Sequence, residues 1–141
     1  MLVKIKKVYV SISIYFFLMI GWVLISGRIQ DFLYCLSALF LHELGHIVVI
    51  YLLEEKISVF YVIPFGFSCR LKNQSKIRKE KMLKILIAGP ATSIIVAGLF
   101  GVWTKEFSCT NLVVGLFNLL PFGELDGGRM LPFILKNNDI S

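Results

Sequence analysis

The run at residues 42–46 reads His-Glu-Leu-Gly-His. Residues four apart on a helix lie one turn apart on the same face, so His42 and His46 can bind one zinc ion together. Glu43 then projects beside His46, where it can act on a water molecule at the metal. A lone histidine in a helix is more often a hydrogen-bonded core residue than a ligand. This run, however, lies in a long apolar segment, where an Asp-like group costs roughly 2.5 to 3.5 kcal/mol and is seldom kept without a partner.

A third donor is needed, because a catalytic zinc ion usually takes three protein ligands. Asp126 is the best placed, since a rise of about 1.5 Å per helical residue puts it at a depth similar to that of His46. It follows Pro121 and precedes two glycines, and unwound backbone inside a membrane is tolerated where it lines a cavity. Two alternatives stay open: residues 126–129 can form a simple cytoplasmic turn, and Glu124 is a weaker candidate ligand.

Four apolar segments must position these side chains: residues 8–26, 32–53, 85–103 and 110–135. A helix needs about 20 residues to cross the roughly 30 Å of bilayer hydrocarbon. The predicted fold class is therefore an all-α membrane protein with four transmembrane helices, of which the last is broken. Residues 1–141 are expected to form a single membrane domain.

The polar connection between the second and third segments has two halves. Residues 57–71 are rich in Val, Ile, Phe and Tyr and are interrupted by Pro64-Phe65-Gly66, which predicts a short membrane-associated β-hairpin. Residues 72–84 are basic. They either lie at anionic lipid headgroups or form a solvated face that orients the protein in the membrane.

The composition agrees with a membrane protein. Of the 141 residues 57% are hydrophobic and 17% charged, and the mean hydropathy is +0.78. Soluble domains average about 45 to 50% apolar residues when Gly is counted and Tyr is not; on that count this chain has about 61%, which excludes a water-soluble globule. The net charge of +6 comes from the polar connections and does not indicate nucleic-acid binding. Placing the most basic connections inside puts both termini in the cytoplasm. The three cysteines form no CxxC pair and are predicted to be buried apolar residues.

These features together resemble the site-two protease family of intramembrane zinc metallopeptidases. The resemblance is carried by HELGH at 42–46, by the NLLP and LDGGR runs within 118–129, and by AGP at 88–90. It covers residues 32–129, which would be the three-helix catalytic core of the family. VIPFG at 62–66 and IAGP at 87–90 are similar to the sporulation branch, which processes a membrane-associated pro-sigma factor.

The resemblance implies a role for each matching residue. His42, His46 and Asp126 would bind the zinc ion. Glu43 would be the general base, and Asn118 would help to position the substrate. Residues 57–71 would match a membrane-embedded β element whose free edge an unwound substrate can extend.

One position departs from the family pattern. The third-helix motif usually reads GPxxN, but here it ends in Ser93, so the expected amide is absent. An oxyanion role at this position is therefore not expected. The pair Gly89-Pro90 is predicted to form a kink that packs closely on a neighbouring helix, without a catalytic role.

Two functions compete. The first is a zinc metalloendopeptidase that hydrolyses a peptide bond in or near a transmembrane or membrane-associated segment of a substrate protein, with zinc as its cofactor. Its expected setting is a bacterial cell membrane, as a multi-pass protein, with a regulatory membrane protein as a further partner. The second is a catalytically silent zinc-binding scaffold that captures a partner's transmembrane segment, which Ser93 and the short C-terminus favour. A small transporter ranks last, because the outer halves of the four segments carry no charge.

Overall fold

The computed structural model of the chain describes residues 2–5, 8–12, 20–21, 23–55, 57–63, 66–71, 77–102 and 104–135. The main helices are α1, Ile29–Leu52; α2, Lys79–Phe100; α3, Lys105–Asn118; and α4, Asp126–Leu135. Residues 20–21 and 23–26 are helical as well. The strands are β1, Leu2–Ile5; β2, Val8–Ile12; β3, Ile57–Ile63; and β4, Gly66–Leu71. The described chain is mostly helical.

Within these described ranges, α1 and α2 are the helices long and apolar enough to cross a membrane. Only 33% of the most apolar stretch of each helix is buried inside the protein. Large apolar side chains such as Phe40 and Leu99 are 55% and 62% exposed, which is typical of helices that face lipid. Cys35 and Cys109 are also exposed. The prediction of buried cysteines is wrong for both, because an apolar residue on a lipid-facing helix need not be covered by protein.

The transmembrane segment predicted at residues 8–26 is wrong in its first part. Val8–Ile12 form strand β2, which pairs antiparallel with β1 and parallel with β3. Val8, Val10 and Ile12 are β-branched and favour strands, whereas an uncharged apolar run by itself does not distinguish a strand from a helix. Residues 13–19 and 22 of the predicted segment lie outside the described residues. Four transmembrane helices are therefore not confirmed.

Residues 57–71, where the sequence predicts a hairpin, form strands β3 and β4. These strands pair antiparallel, from Ile63 opposite Gly66 to Ile57 opposite Leu71, with a shift in register between Ile57 and Val59. The sheet has four strands in the order β1-β2-β3-β4. Strand β2 can pair parallel with β3 because the crossover that contains α1 is long enough. The predicted turn residues 64–65 and the basic residues 72–76 are not among those described.

The segment predicted at residues 110–135 forms two helices joined by turns. Helix α3 has 14 residues and rises roughly 21 Å, less than the thickness of the bilayer hydrocarbon. In residues 119–125 the N–H of Leu119 donates to the Leu116 carbonyl and that of Leu125 to the Phe122 carbonyl. Gly123 has a φ of +50°, which glycine adopts without strain. The helical path is thus interrupted around Pro121.

An apolar cluster holds the C-terminal end of α1 against the start of α2, α4 and β4. Its buried members are Ile50, Leu71, Met82, Ile85, Leu86 and Met130. At the same end, Lys81 Nζ donates to the Leu53 carbonyl at 3.1 Å and to Glu55 Oε1 at 3.0 Å. His46 lies one turn before Ile50, so this packing fixes the end of α1 that carries the histidines.

Candidate metal centre

The side chains of His42, His46 and Asp126 meet at one point between α1 and α4. The Nε2 atoms of His42 and His46 lie 3.0 Å and 3.1 Å from Asp126 Oδ2, and 3.3 Å from each other. The three residues are only 5%, 6% and 6% exposed. The structure thus brings together the two imidazoles and the carboxylate that the sequence predicts as ligands.

The three donor atoms fit a tetrahedral zinc ion. Ligand atoms that each lie about 2.0 to 2.1 Å from zinc are separated by roughly 3.3 Å in a tetrahedron. The separations of 3.0, 3.1 and 3.3 Å are close to this value. Two imidazoles and a carboxylate are also a ligand set that zinc accepts in catalytic sites.

The proton on His46 is placed by the backbone of α2. Nδ1 of His46 lies 2.7 Å from the Ile85 carbonyl, which only accepts hydrogen bonds, so Nδ1 must donate. Neutral His46 then has a lone pair on Nε2, which faces the carboxylate oxygen of Asp126 at 3.1 Å. Two acceptors at this distance repel unless a cation or a proton lies between them. The arrangement is typical of a metal-binding histidine whose other nitrogen donates to a carbonyl.

Helices α1 and α2 approach closely at two glycines. A Cβ added to Gly45 would lie 2.7 Å from the Ala88 carbonyl oxygen and would also meet Thr92. A Cβ added to Gly89 would meet the His46 ring and would lie 2.7 Å from His42 Nε2. The absent side chain of Gly89 therefore leaves room for the donor cluster, and Pro90, which cannot donate to the preceding turn, follows it at once.

Asp126 is the first residue of α4 and is held there by close backbone packing. A Cβ on Gly127 would meet the Leu119 carbonyl, and one on Gly128 would lie 2.6 Å from the carbonyl oxygen of Gly123. The two glycines thus allow the first turn of α4 to pack on the turns at 119–125. This contact directs the carboxylate of Asp126 towards the histidines of α1.

Two further predicted site residues lie on α1 and α3. Glu43 is 6% exposed and follows His42 directly on α1. Asn118 ends α3, and its Nδ2 donates to the Val114 carbonyl of its own helix at 2.9 Å. The structure therefore buries Glu43 next to the donor cluster, while the Asn118 amide bonds within its own helix.

Known proteins are similar to this chain in sequence and in structure. A zinc metalloprotease of Methanocaldococcus jannaschii is 36% identical over 109 residues, which cover 68% of this chain and 31% of that protein. The stage IV sporulation protein FB of Bacillus subtilis is 26% identical over 129 residues, which cover 83% of this chain and 44% of that protein. No protein-family model matches the sequence.

A solved structure decides the family. The site-2 protease from Methanocaldococcus jannaschii matches 99% of this chain and 73% of that one, with a TM-score of 0.77 and 28% identity. The chain belongs to the site-two protease family. This family member spans less than half the length of the two curated relatives named above.

Two contacts in this site-two protease family member are not predicted by the sequence. Ser93 stands where the family pattern has Asn, and its Oγ lies 3.1 Å from Nδ1 of His42. Gly89 does pack on a neighbouring helix, as predicted, but its contact is with the two imidazoles. Ser93 lies one turn after Gly89, and this one-turn spacing was the available signal that both face the same helix.

Proposed function

We propose that this protein is an intramembrane zinc metalloprotease, which hydrolyses a peptide bond in or near a transmembrane or membrane-associated segment of a substrate protein. The observation that carries the proposal is the buried cluster of His42, His46 and Asp126 donor atoms, with Glu43 beside it on a helix long enough to cross a membrane. The names of the relatives, a zinc metalloprotease and a site-2 protease, support it.

Each residue of the cluster has a proposed role. His42, His46 and Asp126 hold the zinc ion. When bound, zinc activates a water molecule for attack and polarises the carbonyl of the scissile bond. Glu43 takes the proton from the attacking water and delivers it to the leaving amine, as a general base and then a general acid. Its burial at 6% exposure supports this role, since ionisable groups within a membrane are rarely kept without a function.

The sheet offers an edge for the substrate. Strand β2 covers one side of β3, so among the described strands β1 and β4 form the two edges of the sheet. Leu71 of β4 packs in the apolar cluster with Ile50 of α1, one turn beyond His46. A substrate helix must unwind before cleavage, because its scissile carbonyl is otherwise tied in a helical hydrogen bond. We propose that the unwound segment pairs with the free edge of β4 and that Asn118 helps to position it.

Location and substrate class follow from the same proposal. We propose that residues 32–129 form the catalytic core of a single multi-pass membrane domain, with both termini in the cytoplasm of a bacterial cell. The similarity to a stage IV sporulation protein supports a membrane-associated pro-sigma factor as the substrate to test first. A regulatory membrane protein that controls access to the site is a further proposed partner.

Cleavage by the full-length chain in lipid vesicles tests the proposed function. The probe is a single-span test protein whose transmembrane helix carries a central glycine pair, which favours local unwinding. Wild type should release products that mass spectrometry can locate, and a zinc chelator should stop their release. Glu43→Gln should keep its zinc and lose cleavage by a factor of about 10² to 10⁴, because it removes the proton acceptor.

The outcomes separate the alternatives. Cleavage retained by Glu43→Gln would rule out Glu43 as the base. Cleavage that is indifferent to the chelator would contradict a metalloprotease. Capture of the probe by the zinc-loaded chain without any product would identify a scaffold instead of an enzyme.

A further inference from the structure

We propose that Ser93 is a positioning residue, which holds the imidazole of His42 in the orientation needed to bind the metal. The proposal rests on the proposed function, because His42 is one of its three zinc ligands. It assigns a role to the position at which the family pattern has Asn and this chain does not.

The contact between Ser93 and His42 is buried between helices. Ser93 is 0% exposed, and its Oγ lies 3.1 Å from Nδ1 of His42 on α1. The backbone of α3 closes over it, since a Cβ added to Gly115 would lie 3.1 Å from the Ser93 Cβ. A hydrogen bond in such a place is electrostatically stronger than one in water.

The other ring nitrogen of His42 explains why this contact matters. Nε2 of His42 lies 3.0 Å from Asp126 Oδ2 and 3.3 Å from His46 Nε2. A neutral imidazole binds a metal through the nitrogen that carries no proton. When Nε2 is the ligand, the proton must therefore be on Nδ1, where Ser93 Oγ accepts its hydrogen bond. The hydroxyl has two lone pairs and remains free to donate its own proton elsewhere.

Loss of the hydroxyl would leave the orientation of the His42 ring less fixed. The Ser93 hydroxyl holds the ring at Nδ1 while Nε2 faces Asp126, so Ser93→Ala lets the ring turn away from the position that the metal requires. His46 is protected from this change by the Ile85 carbonyl, which accepts from its Nδ1 at 2.7 Å. His42 depends instead on a side chain, so its orientation can be tested by substitution.

Zinc affinity of the purified full chain in detergent micelles tests the proposal, by competition with a chromophoric chelator. Ser93→Ala should raise the zinc Kd by about 10- to 100-fold, the usual effect of removing the outer partner of a ligating histidine. Ser93→Thr and Ser93→Val have nearly the same shape and differ in the hydroxyl. The threonine variant should bind zinc more tightly than the valine variant.

A spectroscopic measurement separates positioning from packing. The chain has 2 histidines, so their ring N–H signals in ¹⁵N-labelled, zinc-loaded protein are simple to assign. With zinc on Nε2, the proton of His42 lies on Nδ1 and should be hydrogen-bonded to Ser93 Oγ in wild type, so its ¹H signal should move upfield and exchange faster with water in Ser93→Ala. Ser108→Ala is the matched control, because it removes a hydroxyl bonded to the Ala97 carbonyl at 2.6 Å, where α3 contacts α2. Its zinc affinity should equal that of wild type.

The proposal is overturned if Ser93→Ala binds zinc as tightly as Ser108→Ala, or if the threonine and valine variants lose affinity equally. An unchanged His42 signal in Ser93→Ala would overturn it as well. Failure of the proposed function differs from these results: wild type would bind no zinc, or His46→Ala would bind it as wild type does. Either of those results would remove the zinc site and the role of Ser93 together.

Discussion

At the scale of residues, each proposed ligand is held by a different kind of contact. A backbone carbonyl, that of Ile85, accepts from His46, and a serine hydroxyl lies against His42. Asp126 is held by the backbone of its own helix, whose first turn packs on the preceding turns. These contacts fix the rings before a metal binds, so the donor atoms need little rearrangement to form a tetrahedral site.

Gly89 should matter for zinc binding about as much as an outer partner of a ligand does. Gly89→Ala would place a methyl group 2.7 Å from Nε2 of His42 and against the His46 ring, so at least one ring must move. We expect about tenfold or more weaker zinc binding, comparable to losing an outer partner of a ligand. Gly98→Ala is the control on the same helix, because its added Cβ meets nothing within 4 Å. Equal zinc affinities for the two variants would show that Gly89 does not shape the site.

At the scale of elements, features that depend on side-chain type can be predicted from the sequence, whereas features that depend on backbone contacts cannot. His42, His46 and Asp126 are predicted because spacing and buried charge leave a signal in the sequence. The Ile85 carbonyl leaves none, since every residue has one. Strand β2 is not predicted, because an uncharged apolar run at residues 8–12 has the same hydropathy in a strand as in a helix. Its pairing partner, β3, lies far away in the sequence. The break before α4 is predicted because Pro121 and the glycines disfavour a helix.

At the scale of the whole molecule, the sheet relates the N-terminus to the basic connection. Strand β2 pairs with β3, so residues 8–12 lie on the same side of the helices as residues 57–71. Thirteen of the fifteen Lys and Arg residues fall in the N-terminus, the connection at 54–84 and the C-terminal end. The pairing and the charge distribution agree with a cytoplasmic N-terminus.

Cysteine labelling tests this orientation. Arg78, before α2, and Glu106, at the start of α3, are both exposed. In a chain whose own cysteines are replaced by serine, Glu106→Cys should react with a membrane-impermeant thiol reagent added outside intact cells. Arg78→Cys should react only after the membrane is opened, because thirteen basic residues favour the cytoplasmic side. Labelling of both positions from the same side would contradict the proposed topology.

The central claim is that side chains from α1 and α4 bind one cation together. The metal content of the purified chain tests this claim most directly. Wild type should carry about one zinc ion per chain, measured by mass spectrometry of the metal. His46→Ala and Asp126→Ala should each lose most of it, because each removes one of three ligands, while Glu43→Gln should keep it. A zinc content in Asp126→Ala equal to that of wild type would contradict the claim.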